Sequence, residues 1–344
     1  MKKLGVIGAG SWGTALAVHL AEGALGQEAG FETVLWARRP ELAAEIQGAR
    51  ENASYLPGVR FPDNLRATGE LRDLVYADAV LVVVPSHGFR DAVRQFLREV
   101  PADSPPKVMI SATKGVETDT LARMSQVTFE EALAADREVR FAVLAGPSFA
   151  AELARGIPTA AVVASEDDDL ATRLRHRLAS PTFRLYSTTD VVGVELGGTS
   201  KNVIAIAAGV VAGLGLGHNT LAALLTRGLH EITRLGIAYG GQSRTMAGLA
   251  GMGDLVLTCT GGLSRNRQLG VDLAQGKTLE EISGATSMVA EGVRNSLAIS
   301  RLAERKGVEM PITEQMVRVL YHGKDTRQAV EELMTRELRP EAEL

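Results

Sequence analysis

The chain has 344 residues, with 37 Lys plus Arg against 41 Asp plus Glu and a formal charge of -4. That near balance argues against a nucleic-acid surface or a polybasic membrane patch and points to a small-molecule partner. One cysteine, Cys259, permits no intrachain disulfide and no cysteine-based metal site, in keeping with a reducing cytosol, and the length exceeds the about 150 residues of a common domain, so two domains are expected.

The first half alternates short β-rich runs with helical patterns. KLGVIGAG is followed by a helical stretch over Ala15 to Glu22, then FETVLWA, a helix over Pro40 to Gln47, AVLVVVP, a helix over Phe89 to Val100, KVMISAT and FAVLAGP. Strands separated by helices predict a parallel, doubly wound sheet. TAAVVAS near 159–165 and TFRLYST near 182–188 flank the helical ATRLRHRLA and are expected to finish it. From about Asp190 the strand pattern stops and long helical segments take over. The predicted fold is therefore α/β: an N-terminal Rossmann-type doubly wound sheet over 1–188, followed by an all-helical C-terminal domain over 189–338. The apolar run Val203 to Leu216 is shorter than the ~20 residues of a membrane span and contains Gly209, Gly213 and Gly215, so it reads as a buried core helix and no membrane span is expected. MKKLGVIGAGSWG leads into a nucleotide motif instead of a cleavage site, so no targeting segment is expected. Asn52-Ala53-Ser54 matches a glycosylation sequon, which without a secretory signal reads as accidental.

Gly8-Ala9-Gly10-Ser11-Trp12-Gly13 is GxGxxG directly after the strand LGVI and opening a helix. In that context Gly8 permits a tight turn, Gly10 lets the backbone approach a pyrophosphate and Gly13 lets helix pack on strand, with helix amides meeting the phosphates. The competing reading is a structural glycine turn. The second strand ends at Arg38-Arg39, where an NAD-specific fold usually has an acidic residue; two arginines suit a 2′-phosphate, or else lie on the surface. NADP is expected to be accepted alongside NAD. The run AVLVVVP leads to His87 at the carboxyl edge, which either donates to a ligand or caps a loop.

Three stretches concentrate polar residues in apolar or glycine-rich surroundings: SATKG with Lys114, Lys201-Asn202, and Asp254 through Ser264-Arg265-Asn266-Arg267. A dehydrogenase needs a group that moves the hydroxyl proton while the nicotinamide exchanges hydride. Lysine serves if burial and neighbouring cations make it a usable acid and base. Lys201, heading the apolar run VIAIAA, meets the sequence half of that condition, and Lys114 offers a second cation; each is equally readable as half of a structural ion pair. Arg265 and Asn266 form an anion-binding fork plus amide, with Ser264 as the helix N-cap. Asp254 is expected to pair with a buried lysine. Ser148, beside Gly146 in AGPSFAAE, lacks GxSxG and reads as a turn serine touching a ligand. No HExxH, paired Cys/His spacing or carboxylate cluster implies a metal.

GAGSWGTALA, SATKG, LAGPSFAAELARGIPTA, KNVIAIAAGVVAGLGLGHNT, AALLTRGLHEITRLG, GLAGMGDLVLTCT, SRNRQLG, EGV and MPIT, in this order, resemble the bacterial NAD(P)-dependent sn-glycerol-3-phosphate dehydrogenases over nearly the whole chain. The resemblance implies reversible reduction of dihydroxyacetone phosphate to sn-glycerol 3-phosphate for glycerophospholipid synthesis, with NADPH or NADH, in a cytoplasmic homodimer. It implies Lys201 as proton donor and acceptor and Lys114 as a contact to both cofactor and substrate. Further substrate contacts carry over to Gly146, Ser148, Asp254, Ser264, Arg265 and Asn266. Cofactor contacts carry over to Ser11, Trp12, Arg38, Arg39, Tyr55, Ala150, Arg265, Val289 and Glu291. The loop GALGQEAG is longer than the family's, ahead of the arginines and Tyr55 where nucleotide preference varies. Two other readings exist: a β-hydroxyacid or imine-type reductase of similar domain order, opposed by Arg265-Asn266, and a non-catalytic NAD(P)-ratio sensor, opposed by both lysines.

Overall fold

Leu4 and Val6 of β1 (Lys3–Ile7) turn to one face of a sheet and Ile7 to the other, and all three are fully buried, so the chain covers this strand on both sides. The computed structural model describes all residues except 24–25, 286–290, 339 and 342–344, with 283–285 as backbone alone. After β1 come α1 (Ser11–Glu22), β2 (Glu32–Trp36), α2 (Pro40–Ala49), β3 (Leu65–Thr68), β4 (Ala79–Val82), α3 (Phe89–Glu99), β5 (Lys107–Ser111), α4 (Met124–Ala134), β6 (Val139–Ala145), α5 (Ala150–Ala154), β7 (Thr159–Ala164), α6 (Asp168–Leu178) and β8 (Phe183–Thr188). The helical part follows as α7 (Val191–Gly213), α8 (Gly217–Ala238), α9 (Ser243–Met246), α10 (Asp254–Thr260), α11 (Arg265–Ala274), α12 (Leu279–Ala285), α13 (Glu291–Lys306), α14 (Pro311–His322) and α15 (Thr326–Met334).

The chain forms two compact units, one of Met1–Lys114 with Ala122–Val191, the other of Gly115–Leu121 with Val192–Leu344. In the first, the sheet order is β3-β2-β1-β4-β5-β6-β7-β8. Leu16, Ile46, Leu170 and Leu174 pack on the face that carries Leu4 and Val6, and Phe89, Val93, Phe96 and Val127 on the face that carries Ile7 and Val82. The six strands β1 to β6 run parallel, with Ile7 beside Trp36 on one side and Val82 on the other, so the segments after β1, β2, β4, β5 and β6 all emerge at one edge. An open parallel sheet collects its ligands at that edge.

Two details differ from the sequence reading. β3 was not expected: LRAT alternates, but four residues are too few for that alternation to stand out. β7 pairs antiparallel with β6, returning after a link that carries only the five-residue α5, and β8 follows β7 in parallel across α6.

In the second unit α7 is longer than the run seen in sequence, and it is nearly all buried although it is long and apolar enough to cross a membrane. From Val203 to Ala208 every side chain is in the core, and at Gly209 and Gly270 the backbones of α7 and α11 touch: a Cβ on Gly209 would lie 1.9 Å from the carbonyl oxygen of Arg267. That approach brings the start of α11 against α7. Gly115–Leu121 adds Val116 and Leu121 to a second cluster with Leu196, Leu235 and Leu302.

The MPIT stretch has a structural account. Pro311 occupies the first turn of α14, and the buried Glu231 carboxylate of α8 accepts from the amides of Ile312 (2.6 Å) and Thr313 (3.2 Å) and from the Thr313 hydroxyl (3.1 Å). Those bonds favour the anion, but burial outweighs them and pushes the carboxyl up from 4.5 to about 7. A group raised on folding contributes its full stability below about pH 4.5 and loses it as pH rises through about 7, here on the order of 3 kcal/mol. Thermal melts across that window should show Glu231→Gln with a flatter pH dependence than wild type. Identical slopes in the two proteins would assign the effect to other groups.

Candidate active site

The GxGxxG turn is built by three glycines doing three jobs. Gly8 has φ +117, and a Cβ there would lie 2.4 Å from the Val83 carbonyl oxygen. A Cβ on Gly13 would lie 1.9 Å from the Gly8 oxygen, so α1 packs onto the turn only without a side chain. Gly10 differs: nothing stands within 4 Å of where its Cβ would be. No side chain caps α1 at Gly10, leaving its first amides facing outward from a helix start. The absent Cβ keeps a space open, and a dinucleotide diphosphate fits it. Ser11 opens α1, and the buried Trp12 indole Nε1 has no hydrogen-bond partner among the described residues. Arg38 and Arg39 follow β2 in exposed positions, and neither guanidinium makes an ion pair among the described residues. Tyr55 and Ala150 are half-buried against the core that holds α1. Val289 lies outside the described residues.

Beyond β5 and β6, Lys114 Nζ donates to the Gly146 carbonyl oxygen at 3.1 Å, and Ser148 Oγ donates to the same oxygen at 3.1 Å. Gly146 has φ +142 and no room for a side chain beside Ala161, so it alone serves at this corner. Three residues singled out in sequence are thus gathered at the sheet's carboxyl edge.

In the second unit, Lys201 lies on α7 and Asp254 opens α10, directly after a π-helical turn at Leu249–Gly253. Lys201 Nζ is 2.9 Å from Asp254 Oδ1 and donates to Thr258 Oγ1 at 2.6 Å, with the two ionic side chains only 7% and 1% exposed. The Thr258 hydroxyl in turn donates to the Asp254 carbonyl oxygen at 2.6 Å. Asp254 and Thr258 stand four apart on one helix and therefore share a face. Thr258 was missed in sequence: its spacing to Asp254 is visible there, but the lysine that both meet is 57 positions away. Cys259 beside them is a core residue: burial pushes its thiol up to about 12.

Ser264 is buried and caps α11, accepting from the Arg267 amide at 3.2 Å. Arg265 is exposed at the helix start with no ion pair among the described residues. The Asn266 carboxamide is a bracket: Nδ2 donates to Asn202 Oδ1 at 3.0 Å and Oδ1 accepts from the Gly292 amide at 3.0 Å. A Cβ on Gly292 would lie 2.6 Å from that Oδ1, which explains the glycine of EGV beside Glu291 at the start of α13.

A glycine turn open to a diphosphate, on a sheet whose ligand edge carries a lysine, together with a lysine buried against a carboxylate, defines a nucleotide-dependent oxidoreductase. The description "NAD-dependent glycerol-3-phosphate dehydrogenase N-terminus" matches residues 3–171, and its C-terminal counterpart matches residues 190–331. The chain belongs to this family. It is 50% identical over 341 residues to a glycerol-3-phosphate dehydrogenase (NAD(P)+) of Geobacter sp. strain M21, covering 99% of both chains. It is 51% identical over 338 residues to that of Koribacter versatilis, covering 98% of each. A crystal structure of glycerol-3-phosphate dehydrogenase from Coxiella burnetii superimposes with a TM-score of 0.90 at 38% identity, covering 97% of this chain and 99% of that one.

Proposed function

We propose that this chain reversibly reduces dihydroxyacetone phosphate to sn-glycerol 3-phosphate with NADPH or NADH. The observation that carries this reading is the buried Lys201 ammonium, bonded to Asp254 and Thr258. Bound nicotinamide supplies the hydride. Lys201 gives its proton to the C2 oxygen as the carbonyl becomes an alcohol, and takes it back in the reverse direction. Asp254 and Thr258 hold the amine in one orientation and balance its charge. Arg265 takes the substrate phosphate through its fork of donors. Asn266 fixes the turn that bears Arg265 and keeps one Nδ2 hydrogen for the substrate. Lys114, Gly146 and Ser148 complete the substrate contacts, with Lys114 also reaching the cofactor.

On the cofactor side, Gly8, Gly10, Ser11, Trp12 and Gly13 receive the diphosphate and Tyr55, Ala150, Val289 and Glu291 line the remainder. Residues 1–188 act as the nucleotide domain and 189–338 as the substrate and catalytic domain of a cytoplasmic homodimer that serves glycerophospholipid synthesis. The test is the initial rate of dihydroxyacetone phosphate reduction with each reduced cofactor, followed by loss of nicotinamide absorbance. Absence of turnover with both ends the proposal. Replacing Arg38 and Arg39 together by alanine should raise KM for NADPH roughly tenfold, the worth of one lost charge-assisted contact, and leave KM for NADH within about twofold. Equal effects on both cofactors would make the arginines general phosphate contacts.

A further inference from the structure

The Asn52-Ala53-Ser54 match is explained by burial. Asn52 has no exposed surface, and both hydrogens of its carboxamide are committed: Nδ2 donates to the Ala9 carbonyl oxygen at 2.9 Å and to Thr14 Oγ1 at 2.8 Å. In the folded chain this asparagine offers nothing to a glycosyl group. Its two partners flank the start of α1. Ala9 is the residue between Gly8 and Gly10, and Thr14 lies in the first turn of the helix.

A trans peptide points its C=O and N–H in opposite directions. With the Ala9 oxygen drawn inward to Asn52, the Gly10 N–H of the same peptide points outward. Nothing occupies the space where a Gly10 Cβ would stand, and no backbone acceptor within the described residues takes the Gly10 amide. With glycine on its C-side the Ala9–Gly10 peptide swings at lower steric cost than between two residues that carry side chains, and the reverse orientation would present a carbonyl oxygen to whatever anion approaches. The inward bond opposes that swing. Asn52 itself is held from behind, since its carbonyl oxygen accepts from the amides of Tyr55 (3.2 Å) and Leu56 (2.8 Å), and Leu56 is buried in the core that also holds α1.

From this geometry we infer that Asn52 is a positioning residue for cofactor binding: it locks the Ala9–Gly10 peptide with its N–H toward the nucleotide diphosphate. The inference rests on the GxGxxG turn being the diphosphate site, and the experiment separates the two. The probes are ADP, adenosine and NADH, titrated against the full chain and against Asn52→Asp, which keeps the shape but opposes an acceptor to the Ala9 oxygen. Melting curves accompany each titration.

The expected result is a Kd for ADP and for NADH raised at least ~10-fold with the Kd for adenosine unchanged, and kcat at saturating NADH within about twofold of wild type. A residue that merely supported the loop bearing Tyr55 would weaken adenosine along with ADP, which overturns the assignment. So does an unchanged Kd for ADP. Wild-type protein that binds ADP no more tightly than adenosine removes the diphosphate reading itself. If Asn52→Asp fails to fold, Asn52→Ser, whose hydroxyl is too short to reach Ala9, is read by the same criteria.

Discussion

Alanine at position 201 lowers turnover of dihydroxyacetone phosphate at least ~10²-fold, the usual contribution of a positioned general acid, while NADH and NADPH still bind. The substitution has a second effect. It leaves the Asp254 carboxylate, 1% exposed, without its cation, and breaking a buried pair from one side costs on the order of 3–5 kcal/mol. Loss of activity in Lys201→Ala is therefore ambiguous between chemistry and stability. Adding Asp254→Asn removes the stranded charge. The double variant should regain most of the lost melting temperature and none of the turnover, because stability depends on charge balance and catalysis on the proton. Turnover that returns with the melting temperature, or near-normal kcat in the single variant, takes Lys201 out of the mechanism.

Valine at Gly10 and valine at Gly13 should fail in opposite ways. Gly10 has φ -76 and ψ 178, a conformation any residue adopts, and open space where the side chain would go. Gly10→Val is expected to melt within about 2 °C of wild type, as a substitution that touches nothing in the fold, yet to bind NADH at least ~10-fold more weakly. Gly13→Val drives a side chain into the Gly8 carbonyl oxygen and forces α1 off the sheet, at more than ~3 kcal/mol. Titration of NADH and thermal melts separate the two. Normal NADH binding by Gly10→Val would put the diphosphate somewhere other than this turn.

The glycine turn was legible because its signal is local. GxGxxG between a strand and a helix specifies backbone angles and close approaches that only glycine allows, and the contacts at Gly8 and Gly13 are those approaches. Lys201 was legible for another reason: a charge inside an apolar helical run is costly unless something pairs with it. Its partner Asp254 followed from the same logic applied to GMGDLVL. Thr258 did not, since a threonine in an apolar run is unremarkable until the helix register sets it beside a lysine 57 positions away. Asn266 shows the converse. Its residue type suggested a substrate contact, and the fold adds a structural role that the sequence did not show, engaging Oδ1 with Gly292 and one Nδ2 hydrogen with Asn202.

Element type and order came from periodicity and turn residues, which a few neighbouring positions encode. In the first unit helix starts and ends were read to within about a turn, with α1 beginning at Ser11 ahead of the run from Ala15, whereas α7 begins at Val191, about three turns before the apolar run from Val203. What sequence alone did not contain was direction and partnership across distance. β7 has the same alternation whether it runs with β6 or against it, and only the packing of the finished sheet decides it. Gly115–Leu121 follows a strand of the first unit but buries Val116 and Leu121 in the second. Asn52 and Glu231 look like surface residues by type. Each became buried because a tertiary neighbour, the Ala9 carbonyl in one case and the amides of α14 in the other, needed a hydrogen-bond partner that water no longer reached.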